Sequence, residues 1–69
     1  MDNLSQIHME ILMFRTAIDR EELLIRKCRG FYDDIKNKEI MDIVKDIEST
    51  AQEHIKALKD KMIKLNIQG

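Results

Sequence analysis

Two residues near the middle of the chain could perform chemistry inside a helical protein. Glu21 falls within one apolar helical stripe, and His54 falls within a second. A carboxylate that is buried without a partner is very costly in free energy, so Glu21 needs a hydrogen-bond donor, a positive charge or a metal ion. Carboxylate and imidazole groups are also ligands of zinc and iron. Glu21 and His54 are therefore predicted to form a structural ion pair or to act as metal ligands for zinc or iron, or to do neither.

The other residues supply no catalytic centre. The sequence has two glycines, too few for a glycine-rich phosphate loop, and its one cysteine, Cys28, cannot form a paired-cysteine site. No nucleophile stands at a spacing that pairs it with a base. We therefore expect no enzymatic activity, and we expect Cys28 to be a buried, unreactive thiol.

The apolar spacing predicts two long helices that would position Glu21 and His54. In the first half, steps of three and four separate Leu4, Ile7, Ile11, Phe14, Ile18, Ile25, Cys28, Tyr32 and Ile35. The second half repeats the rhythm at Ile40, Val44, Ile47, Ala51, His54, Leu58 and Leu65. A period near 3.5 is typical of helices packed at small angles. The fold predicted for residues 1–69 is one all-α domain, an antiparallel two-helix hairpin with a helix at about 3–35, a turn at about 36–38 and a helix at about 38–65.

Local signals mark the ends of these helices. Asn37 is a good N-cap for the second helix. Asn66 tolerates the left-handed conformation that ends many helices, and Ile67 can fold back onto the last turn. Gly30 is predicted to be a surface position, or alternatively a close contact between helices.

A tight turn sets the register of the two helices. Facing residues should then have numbers that sum to about 75. Ile35 would face Ile40, and Cys28 would face Ile47. The same register places Glu21 opposite His54, although neither residue was used to choose it.

One partner helix cannot cover the apolar arcs of these helices. The arc of the first helix spans about half its circumference, and Leu12 and Leu23 lie outside it. We therefore expect a homodimer or a higher homo-oligomer, most simply two hairpins in a four-helix bundle, or another protein partner.

Composition excludes several classes of protein. The 69 residues are 43% hydrophobic and 36% charged, with no proline, which favours a folded helical chain over a disordered or all-β one. The net charge of −1 argues against a nucleic-acid binder and against an anionic-membrane binder. No apolar run has the length of a membrane span or a signal peptide, and a single cysteine fits a reducing compartment. The predicted location is the cytoplasm.

The arrangement of Glu21 and His54 resembles the ferritin-like superfamily, especially rubrerythrin-type members and the small spore-coat-type hairpins of spore-forming bacteria. In that family one helix carries a ligand glutamate and the next carries Glu-x-x-His, and two helix pairs enclose a di-iron centre. Glu21 matches the first glutamate and His54 matches the histidine, but the glutamate three residues earlier is replaced by Ala51. The resemblance implies a bacterial helical hairpin with a degenerate Glu/His site, without the bridging carboxylate that oxidase or peroxidase chemistry needs.

Two functions are therefore expected. The first is an oligomerising structural or interaction module without catalytic activity. The alternative is a ferritin-like metal-binding protein whose Glu21 and His54 site forms across a dimer.

Overall fold

The hairpin consists of two long helices that pack against each other. The computed structural model describes residues 3–67, with side chains from residue 5 onward. Helix α1 spans Asn3–Gly30 and helix α2 spans Lys38–Lys64, in a molecule of 53 × 18 × 14 Å. No strand occurs between residues 3 and 67, which confirms the prediction of an all-α hairpin. The side chain of Leu4 lies outside the described part of the chain.

Helix α1 ends at Gly30, before the predicted end near residue 35. The N–H of Phe31 donates to the carbonyl of Cys28 and that of Tyr32 to the carbonyl of Arg29, each at 3.2 Å. These bonds span three residues instead of four, so they tighten the final turn and stop the α-helix. A Cβ at Gly30 would meet no atom within 4 Å, so Gly30 is a surface position and not a close contact. Glycine also stabilises a helix less than any residue except proline, which fits the end of α1 here.

Asn37 caps the start of α2, as predicted. Its backbone is extended, and its Oδ1 accepts the N–H groups of Glu39 at 2.8 Å and Ile40 at 3.2 Å. These bonds satisfy two donors that the first turn of a helix leaves without partners. The side chain of Asn37 therefore fixes the residue at which α2 begins.

We expect Asn37→Ala to lower the free energy of unfolding by about 1 kcal/mol, because both capping bonds are lost. Urea denaturation at one fixed protein concentration measures the change. Asn37→Asp is the control, since its carboxylate can accept the same two bonds. Equal losses in the two variants would contradict the capping role.

The other end of α2 also follows the prediction. Asn66 adopts a φ of 57°, in the left-handed region. The N–H of Ile67 then donates to the carbonyl of Met62 at 2.8 Å, and that of Asn66 to the carbonyl of Ile63 at 3.0 Å. This is the Schellman pattern of helix ends, and it folds Ile67 back so that its side chain is buried.

The face that α2 turns towards α1 differs from the prediction. Ile40, Ile47 and Leu65 were expected in the contact but are 48%, 41% and 62% exposed. The side chains that are buried or half-buried on α2 are Met41, Val44, Glu48, Ala51, Ile55, Leu58 and Met62. Helix α2 has apolar residues on both sides of Ala51, so burial alone does not choose between them. Glu48 turns inward and Ile47 outward, and the connection is longer than predicted, at residues 31–37.

The hairpin has a small core. Among residues 5–67 the buried hydrophobic side chains are Ile25, Cys28, Ala51 and Ile67, and no charged or polar residue is buried. Ala51 is 1% exposed, so its small side chain is the most completely buried of these four. The prediction of a buried Cys28 thiol is confirmed. Within residues 3–67 neither helix has both the length and the apolar character needed to cross a membrane.

Candidate functional site

Glu21 and His54 meet across the two helices. His54 Nδ1 lies 3.3 Å from Glu21 Oε1, which confirms that the register brings the two residues together. The side chain of Glu21 is 24% exposed and that of His54 is 57% exposed. In the single hairpin the pair therefore lies at the edge of the helix contact. The prediction that His54 lies within that contact is wrong.

The chemistry of the pair assigns the ring proton of His54. A carboxylate oxygen only accepts hydrogen bonds, so Nδ1 carries the proton and donates it to Oε1 of Glu21. In the neutral ring, Nε2 is then an acceptor with a free lone pair. The other carboxylate oxygen, Oε2 of Glu21, is shielded from solvent and has no hydrogen-bond partner among the described residues. A shielded oxygen without a donor raises the free energy of the folded state.

The pair stands at the end of an apolar groove between the helices. Leu24 on α1 and Ile43 and Ile47 on α2 supply its aliphatic wall, and the volume is about 330 Å³. Asp46 and Thr50 add polar groups to the lining. The groove is open to solvent, so it offers a contact surface instead of an enclosed substrate pocket.

A single hairpin does not fit the predicted metal site. Within one hairpin Glu21 accepts a hydrogen bond from His54. A carboxylate in that position orients a histidine that binds a metal and does not itself bind the same metal. Residues 3–67 contain no group of three or more histidine, cysteine or acidic side chains that could hold a metal ion. A closed zinc site has four ligands. Glu21 and His54 as metal ligands therefore remain a prediction that requires a second hairpin.

A second polar cluster lies near the turn and was not predicted. The hydroxyl of Tyr32 donates to Oε1 of Glu48, and Nε of Arg29 donates to Oε2 at 3.1 Å. Lys45 Nζ lies 5.9 Å from the centre of the Tyr32 ring. The register could have revealed the Arg29–Glu48 pair, because the sum of their residue numbers is close to the sum for Glu21 and His54. The rotation of α2 that brings Glu48 inward could not be read from the spacing.

The electrostatics of this cluster indicate a structural role. The hydroxyl of Tyr32, followed by the guanidinium of Arg29, holds the pKa of Glu48 below its ordinary value of 4.5. The same hydrogen bond to Glu48 raises the pKa of Tyr32 above 10.0. Both shifts move the groups away from neutral pH, where a general acid or base needs to exchange its proton. The cluster therefore joins the two helices through a hydrogen bond and an ion pair.

We expect the hairpin to become less stable as the pH is lowered, because Glu48 then takes up a proton. Since the folded state lowers the pKa of Glu48, its contribution is complete above pH 4.5 and is lost as the pH falls through the lower folded value. Urea denaturation of wild type and Glu48→Gln between pH 7 and about pH 3 measures this. The difference in unfolding free energy between wild type and Glu48→Gln should become smaller below pH 4.5. A difference that stays constant from pH 7 to about pH 3 would refute the role of Glu48.

Comparison with known proteins adds no assignment. No family model matches the chain, and no curated protein or solved structure matches it. The ferritin-like resemblance therefore stays a prediction that rests on Glu21 and His54.

Proposed function

We propose that this chain is an oligomerising helical-hairpin module that acts through protein contacts, without catalysis. The observation that supports this is its large accessible surface, 5835 Å² for 8.2 kDa. A compact monomer of that mass exposes about 4,500 Å². The excess, roughly 1,300 Å², is comparable to what one partner contributes to a large protein–protein interface.

The nature of this surface also favours association. Between residues 5 and 67, twelve large hydrophobic side chains are from 39% to 76% exposed, whereas only four hydrophobic residues are buried. A contiguous apolar surface on a small protein marks a site of interaction. Chains below about 70–80 residues rarely gain more than ~3–5 kcal/mol from a single core, so a second chain would add needed stability. We propose the cytoplasm as the location, since the single thiol is free.

Sedimentation equilibrium at micromolar concentration tests the proposal. The expected result is a mass of two chains or more, with a helical circular dichroism spectrum that weakens on dilution. A chain that stays helical and monomeric over that range would overturn the proposed function.

The second candidate is metal binding across a dimer, in the manner of a degenerate ferritin-like site. The observation that favours it is the shielded Oε2 of Glu21 beside His54, whose Nε2 retains a lone pair. Two hairpins would bring two carboxylates and two imidazoles, which is enough for one tetrahedral zinc ion. The ferritin-like resemblance implies iron at these residues, but Ala51 leaves too few carboxylates for a bridged pair of iron ions.

Calorimetric titration with zinc tests this candidate, with ferrous iron titrated in parallel under anaerobic conditions. We expect one zinc ion per two chains in wild type and none in His54→Ala. Glu21→Gln separates the roles, because the amide can still accept the bond from Nδ1 but is a poor metal ligand. Absence of binding in wild type would leave Glu21 and His54 as a structural pair.

A further inference from the structure

The two sides of the hairpin differ in chemistry. Beyond the line where the helices meet, one side carries exposed hydrophobic residues from both helices. We call this side the apolar face, and its members are Met13, Leu24, Phe31, Ile40, Ile43 and Ile47. Their side chains are from 39% to 63% exposed. The apolar groove beside Glu21 and His54 forms the centre of this face.

The opposite side is charged. On α1 the residues at alternating steps of four and three are all ionised, namely Arg15, Asp19, Glu22, Arg26 and Arg29. Arg29 bonds to Glu48 of α2 on this side, and Lys59 joins Arg15 and Asp19 around a second groove. Burying such a side against a partner would desolvate many charges, which is costly unless each is paired. A partner therefore gains more on the apolar face.

We infer that a second copy of this chain docks head to tail on the apolar face, so that two hairpins form an antiparallel four-helix bundle. This inference rests on the proposed function and specifies its partner and surface. An apolar surface is complementary to itself, and a two-fold axis lets each copy use the same residues. The excess accessible surface of roughly 1,300 Å² per chain exceeds the ~800 Å² per partner of a standard stable interface.

The unequal reach of the two helices favours the head-to-tail orientation. Ile67, which closes the end of α2, lines a groove with Arg15 and Ile18 of α1, so the first turns of α1 project beyond α2. On this projecting part, Ile7 and Met9 are 47% and 55% exposed. In a parallel pair the two projecting ends would lack a neighbouring α2 from either chain. In a head-to-tail pair the partner's turn end lies beside Met13, where α1 passes beyond its own α2, and the apolar side chains near the turn are exposed.

Residues on the same side of α1 then define the expected contacts. Met13 and Phe31 are five helical turns apart, and Glu21 lies close to the midpoint between them. A two-fold axis near Glu21 places Met13 of one copy opposite Phe31 of the other. It also brings the two Glu21–His54 pairs next to each other at the centre of the bundle, where each would lose its exposure to water.

A matched pair of charge substitutions tests the face. Ile47→Lys places a charge in the centre of the apolar face, whereas Ile63→Lys makes the same change on the opposite side, at a site that is 76% exposed and lines the second groove. Sedimentation equilibrium should show at least tenfold weaker association for Ile47→Lys and an unchanged constant for Ile63→Lys. An oligomer that tolerates Ile47→Lys would overturn the docking face but keep the proposed function. A monomeric wild type would overturn both.

Cross-linking tests the orientation without a charge in the interface. Cys28 is first replaced by alanine, and this background is verified to sediment as wild type does. Chains with Met13→Cys are then mixed with chains with Phe31→Cys and treated with a short bismaleimide. Mixed cross-linked dimers should form at least ten times faster than Phe31→Cys self-dimers. Preferential self-cross-linking of Phe31→Cys would overturn the head-to-tail arrangement in favour of a parallel one.

Discussion

Replacing Ala51 with glutamate should lower the free energy of unfolding by about 3 kcal/mol, through overpacking and the burial of an unpaired charge. Ala51 is 1% exposed and lies on the face of α2 that packs against α1. It also lines the same groove as Glu21, so a second carboxylate would be placed near an existing one. The loss should appear in urea denaturation and in the thermal midpoint.

Ala57→Glu provides the matched control for this prediction. Ala57 is exposed on the same helix. The same substitution there changes the helix propensity by the same amount, but the new side chain does not lie between the helices. A small and equal effect at both positions would mean that the helices do not pack around Ala51. The expected loss also bears on the ferritin-like resemblance, because that family carries a ligand glutamate at the position where the buried Ala51 stands here.

Ile25→Ala should be the second most damaging substitution, with a loss of about 3 kcal/mol. Ile25 is 9% exposed and lies on the inner face of α1, so shortening it removes apolar contacts and leaves a cavity. Leu23→Ala on the same helix is the control, since Leu23 is 43% exposed and should lose far less. Similar losses in both variants, measured by urea denaturation at one protein concentration, would place Ile25 outside the core.

Features that depend on neighbouring residues were predictable from the sequence. The cap at Asn37 and the left-handed Asn66 each depend on a few residues of backbone and one side chain. The meeting of Glu21 and His54 followed from an antiparallel register alone. The caps are local, and the pairing of Glu21 with His54 depends only on how far one antiparallel helix is shifted along the other.

Features that depend on rotation about a helix axis were not predictable. A change of one position on α2 exchanges Ile47 for Glu48 in the contact, and both sides of Ala51 carry apolar residues, so the hydrophobic pattern permits either. The turns at residues 31–34 lengthen the connection between the helices, and their backbone bonds have no clear signature in the sequence. Because the rotation of α2 was not predicted, the hydrogen bond between Tyr32 and Glu48 was missed. The same rotation places His54 at the edge of the helix contact and not within it.

The order of the side-chain pairs along the hairpin has a consequence for how the chain folds. Tyr32 and Glu48 are 16 residues apart, Arg29 and Glu48 are 19 apart, and Glu21 and His54 are 33 apart. Each doubling of the loop adds about 0.6 kcal/mol of closure entropy, so the pairs near the turn form first. We therefore expect folding to begin near the turn and to proceed towards Ile67, and we expect local opening to begin at the end far from the turn. Amide hydrogens at the far end should therefore exchange with solvent sooner than those beside Arg29 and Glu48.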